Sequence, residues 1–179
     1  MQQGGLTTLH YQYVQRKMNP PTPQSTTPLL SSGRLAGIDF GTVRIGIAIS
    51  DPSQKWASPL ETYQVRSPDL DAEFFQALAE REMLVGWVIG LPLHTSGQPS
   101  KKSNQAVAFG QWIANATSLP VNWIDERFTT AAAREMLNSS SMSGKKKKSH
   151  LDKIAAQVIL STYLESDRTK AQQDHSLED

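Results

Sequence analysis

Residues 37–50 read GIDFGTVRIGIAIS. Val43, Ile45, Ile47 and Ile49 alternate with Arg44, Gly46, Ala48 and Ser50, the period of two that a β-strand requires. Just ahead, RLAGIDF at 34–40 is another β-rich run, and Gly41-Thr42 supplies a turn between the two. The stretch therefore predicts an antiparallel hairpin. Its only charged residues are Asp39 and Arg44. Burying an ionised carboxylate is costly unless a cation or several donors meet it, so Asp39 calls for an explanation.

Working outward, LETYQV at 60–65 reads as a third strand. Ser67-Pro68 resembles an N-cap followed by proline at the first helical position, with Leu70, Phe74 and Leu78 on one face. LVGWVIGL at 84–91 is continuously apolar, as expected of a strand covered on both faces. A helix over about 103–116, a strand in LPVNWID, and a short Ala-rich helix capped by Thr129 or Thr130 follow. Leu151, Ile154, Ala155, Val158, Ile159 and Thr162 then mark a final helix by their i, i+3, i+4, i+7 spacing. The order βββ-α-β-α-β-α-α predicts an α/β fold. Its mixed five-stranded sheet would hold three antiparallel strands and two added by helical crossovers, with helices on both faces.

With 179 residues the chain is long enough for one domain. Eighteen basic and seventeen acidic residues give a net charge of +1, which names no partner until the charges are located. The absence of cysteine excludes disulfides and thiolate zinc sites and fits a reducing compartment. No apolar run approaches the roughly 18 residues of a membrane span, and the N-terminus lacks a signal-peptide core, so a cytoplasmic protein without membrane attachment is expected. Residues 1–33, rich in Gln, Thr, Pro and Ser, are expected to be a disordered extension. The domain is expected over 34–166, and 167–179 as a polar tail.

Acids fall at three places: Asp39 on the first strand, Asp125 and Glu126 where the last strand ends, and Asp152 in the first turn of the final helix. Each has a local explanation. Asp39 suits an Asx turn, Asp125-Glu126-Arg127 a salt-bridge set, and Ser149 to Asp152 a capping box. Together they point elsewhere, because sites in crossover sheets form at the carboxyl ends of strands, where 39 and 125/126 would converge. Converging carboxylates repel unless protonated or bridged, and hard divalent cations bind such oxygen sets. Mg²⁺ or Mn²⁺ ions about 4 Å apart would activate a water and stabilise the leaving oxygen of a phosphodiester.

Four motifs, GIDFGTVRIGIAIS, VIGLPL, DERFTT and LDKIAAQVILSTYLE, appear in the order seen in the YqgF/RuvX family of RNase H-like nucleases. The resemblance spans nearly all of 34–165. Members of that family are proposed pre-16S rRNA nucleases and were formerly proposed Holliday junction resolvases. The resemblance implies an RNase H-like fold with Asp39, Glu126 and Asp152 as catalytic acids, and these with Asp125 as metal ligands. Many such nucleases carry an acid at the end of the strand that reads VIGL here, and this chain has none. An acid from the next strand must then span two strand spacings, about 10 Å, which the longer Glu126 suits better than Asp125.

Lys145 to Lys148 form the strongest charge run; it reads either as a solvated loop or as a grip on a phosphate backbone. Arg44, Lys101, Lys102 and Arg127 would extend that track. Trp87, Trp112 and Trp123 fall in regular elements, which leaves Trp56 as the exposed candidate. The expected function is a Mg²⁺-dependent nuclease acting on structured precursor rRNA, as a monomer or weak homodimer. Branched-DNA resolution and a catalytically silent RNA-binding assembly factor are the alternatives. An actin-like ATPase shares GIDFGT but needs two related domains, and this chain supplies one.

Overall fold

The computed structural model describes residues 29–93, 100–126 and 144–175, with side chains of the last segment described over 148–166. Strands β1 (Arg34–Asp39), β2 (Arg44–Ser50) and β3 (Ala57–Gln64) come first. They are followed by α1 (Pro68–Glu82), β4 (Leu84–Leu91), α2 (Lys101–Thr117), β5 (Val121–Asp125) and α3 (Gly144–His175). The sheet order is β3-β2-β1-β4-β5. β1 pairs antiparallel with β2 and parallel with β4, and β5 joins β4 in parallel. The expected five-stranded mixed sheet is what the chain forms; the Ala-rich helix expected after Thr129 or Thr130 lies outside the described residues.

Both faces are covered. Ile38, Ile45, Ile47 and Ile89 point to one side, where Phe75 and Leu78 of α1 and Phe109 and Ile113 of α2 close over them. Leu35, Ala48 and Val88 point to the other, against Ala156, Ile159, Leu160 and Leu164 of α3. Full burial of each large apolar side chain contributes about 1.5–3 kcal/mol, so this double packing is the main source of stability. β3 is an edge strand. It carries Pro59, its register with β2 shifts between Ile47 and Ala48, and it begins three residues earlier than its sequence suggests.

Several expectations are corrected. Leu70 and Val43 are exposed, and Phe75 with Leu78 forms the buried face of α1. α3 starts at Gly144, so Ser149 caps nothing; its carbonyl accepts a bond from Thr62 Oγ1 at 2.7 Å. The lysine run therefore opens a helix and is not a loop, and Asp152 lies in the third turn. α3 also runs past 166 to His175, through much of the stretch expected to be a tail. Residues 29–33, expected within the extension, dock on the domain. Leu29 packs against the α3-side core, Gln54 Nε2 donates to the carbonyls of Leu30 and Gly33, and Gly33 N–H donates to Pro52 O. Residues 1–28 lie outside the described residues.

Candidate active site

Asp39 ends β1, and strand alternation settles which way it faces. Ile38 goes to the α1/α2 side and Gly37 and Asp39 to the α3 side. Phe40 turns back and stacks on Phe109 of α2, with ring centroids 4.8 Å apart, which anchors the chain just after the carboxylate.

Glycine flanks Asp39 on both neighbouring strands. Gly46 of β2 is its cross-strand partner. Ile38 lies opposite Ile89, which puts Gly90 of β4 at the next position. Over Gly46 the main chain of Asp152 comes so close that a Cβ would overlap its carbonyl oxygen. Over Gly90 lie Oε1 of Glu126 and the Ile159 side chain, each 2.5 Å from where a Cβ would stand. Missing side chains thus open a slot on either side of Asp39; the main chain of Asp152 fills one, and the Glu126 carboxylate with the Ile159 side chain fills the other. An isolated glycine inside an Ile-rich strand is a signal of close backbone approach, and Gly46 gave that signal in the sequence.

The three acids line one cavity of about 370 Å³, together with Arg44, Lys102, Gln105 and the 40–43 turn. Burial pushes the Asp39 carboxyl up to about 7, helped by the charges of Glu126 and Asp152 and opposed by Lys102. Glu126 is also raised, by burial first, with Lys102 opposing and Asp125 adding to the shift. Arg44 Nε donates to Asp152 Oδ2 at 2.6 Å. This is a site holding more negative charge than its own cations neutralise. The donor set is all oxygen, and the chain has no thiol, which suits a hard cation such as Mg²⁺ or Mn²⁺. Among the described residues no three acidic or imidazole side chains close on a single point. Asp152 faces Arg44.

Of the residues expected at the site, Asp39, Glu126, Asp152, Arg44 and Lys102 come together. Asp125, the last residue of β5, does not line the cavity; the charge it places beside Glu126 helps to raise that carboxyl. Arg44, expected to hold nucleic acid, is engaged by Asp152. Lys101 is exposed at the start of α2, away from the cavity lining, and Lys148 is exposed on α3. Arg127 and the side chains of Lys145, Lys146 and Lys147 lie outside the described residues. Gln105, one helical turn from Lys102, is a lining residue that motif reading passed over. Trp87 is fully buried, while Trp56 is 76% exposed at the far end of β2 and β3, away from the cavity.

Residues 33–166 match the family model described as "RuvX: Holliday junction resolvase". A "Putative pre-16S rRNA nuclease" of Rhodopirellula baltica is 45% identical over 150 residues, covering 83% of this chain and 87% of that one. A protein of the same name from Koribacter versatilis is 37% identical over 138 residues, covering 77% and 90%. Among solved structures, the yeast mitochondrial Holliday junction resolvase superposes with a TM-score of 0.52 at 12% identity, covering 83% of each chain. That likeness concerns the fold, which is RNase H-like. Among the described residues no helix is long and apolar enough to cross a membrane.

Proposed function

This chain belongs to the RuvX family, and from that premise we propose that it is a metal-dependent nuclease hydrolysing phosphodiester bonds at the 5′ end of precursor 16S rRNA. The observation that carries the reading is the meeting of Asp39, Glu126 and Asp152 around one cavity, with the Asp39 carboxyl raised to about 7. A structural carboxylate gathers donors that lower its pKa; this one is surrounded by burial and like charge. Asp39, Glu126 and Asp152 would hold Mg²⁺ or Mn²⁺, with Asp125 as an outer charge. Such an ion would supply an activated water and would stabilise charge on the leaving oxygen. Lys102, at the cavity, receives a non-bridging phosphate oxygen. Lys101 and Lys145 to Lys148 extend the contact along the backbone without reading bases.

The rRNA substrate is supported by the names of the relatives, and branched DNA by the family description, so one assay addresses both. Purified protein is incubated with labelled precursor rRNA and with a four-way DNA junction, with and without Mg²⁺. Mg²⁺-dependent cleavage of the RNA, lost in Asp39→Asn, is the expected result. Junction cleavage alone would reassign the substrate. Binding without cleavage of either would make the chain a silent assembly factor.

A further inference from the structure

We propose that Arg44 is a stand-in cation for Asp152. It holds that carboxylate while the site lacks metal, and it is displaced onto a substrate phosphate when a divalent ion binds. The inference rests on the metal-site reading above. Its basis is the Arg44–Asp152 pair, made through Nε at 2.6 Å inside the same cavity that Asp39 and Glu126 line.

Which partner can move follows from how each is held. The main chain of Asp152 lies directly against Gly46, and its carboxylate stands only two side-chain torsions from that backbone, so it has a short reach. Arg44 is the first residue of β2, beside the exposed Thr42 and Val43, and reaches the pair through a long flexible stem. The two side chains are 32% and 22% exposed, so the pair is part-hydrated, a setting in which ion pairs are weak enough to exchange. A doubly charged ion on Asp152 would repel a guanidinium bonded to the same carboxylate. Once released, the planar fork matches a phosphate's two oxygens, and the cavity that holds Arg44 is where such a phosphate would lie. Metal binding and substrate binding would thereby be coupled through one side chain. Arg44 is a positioning residue for Asp152 in one state and a substrate contact in the other.

The test measures Mg²⁺ binding by titration calorimetry on the full chain and on Arg44→Gln. Binding of a labelled single-stranded RNA is then followed with and without Mg²⁺, on RNA shown intact afterwards. Removing the competitor should tighten Mg²⁺ binding about tenfold, within the usual range of coupling between sites. The same substitution should weaken RNA binding in Mg²⁺ and shrink the gain in RNA affinity that Mg²⁺ brings. Arg44→Lys keeps the charge without the Nε–H, and should give a Mg²⁺ affinity between the two. It also keeps the test open if the glutamine variant fails to fold. Equal or weaker Mg²⁺ binding by both variants would overturn the proposal while leaving the metal site standing. Absence of Mg²⁺ binding in every form would overturn both.

Discussion

The main chain of Asp152 lies directly on Gly46. A Cβ at position 46 would fall on the Asp152 carbonyl, so α3 can lie this low on β2 only because residue 46 has no side chain. That contact sets the height of the final helix above the sheet, and with it the position of the Asp152 carboxylate beside Asp39.

Gly46→Ala is expected to lift α3 and to destabilise the fold by about 3 kcal/mol, the upper part of the usual overpacking range. For a chain of this size that corresponds to a fall in Tm on the order of 10 °C. Gly90→Ala meets the ends of two side chains instead of backbone and should cost roughly 1 kcal/mol, while displacing Glu126. Thermal melts of the two variants check the ranking; an equal fall would mean that α3 can shift freely.

The raised Asp39 carboxyl makes stability depend on pH in a definite direction. Folded Asp39 titrates near 7 and an unfolded one near 3.8, so between those values the folded state holds the extra proton. Its contribution is fully present below about pH 4 and is lost as pH rises through 7. Asp39→Asn cannot ionise. In metal-free buffer its Tm should therefore gain on the wild type from pH 5 to about pH 7 and level off above that, with a ceiling of about 4 kcal/mol at roughly 1.4 kcal/mol per pH unit. A difference that stays flat with pH would show that Asp39 is an ordinary ionised carboxylate.

Lys145 to Lys148 lie in the first two turns of α3, near the helix end where the dipole disfavours positive charge. Replacing them with alanine should leave Tm unchanged or slightly higher. The same change should weaken binding to every nucleic acid alike, and each lost phosphate contact on a single strand should remove about 0.7 from the log–log salt slope. An unchanged slope would return the run to a solvated helix end.

Removing residues 1–28 should leave Tm within a degree or two, whereas removing 1–33 should lower it by roughly 5 °C. The difference reflects Leu29, which fills space over Gly86, and the Gly33–Pro52 bond. A leucine's burial is worth about 1.5–3 kcal/mol. Equal melts for both truncations would show that the 29–33 contact contributes nothing.

The sheet was legible because its signals are local. Alternation over 43–50, the apolar run at 84–91 and the spacing along 151–162 each report burial directly. The acids were legible as well, since a charge in an apolar run is conspicuous. The origin of α3 was not: Ser149 to Asp152 has capping-box spacing, but the helix is already under way there, and Thr62 holds the Ser149 carbonyl from another strand. Nor could the periodicity of α1 tell Leu70 from Phe75, because the direction of the core is set by β4 and α2. The Arg44–Asp152 pair joins residues 108 positions apart, and no pattern in sequence spacing reports such a contact.

Among the described residues no strand pairs with the outer side of β3, which has a consequence for how copies of this protein behave at high concentration. Pro59 has no amide hydrogen to offer, and the β2–β3 register shifts beside it. An exposed strand margin is a template on which another chain can add, and proline with a bulge is how such margins are blunted. Fibril growth by strand addition is therefore obstructed along this border. Pro59→Thr, which restores a donor and a strong strand former, should shorten the lag before thioflavin-positive aggregates form on agitation.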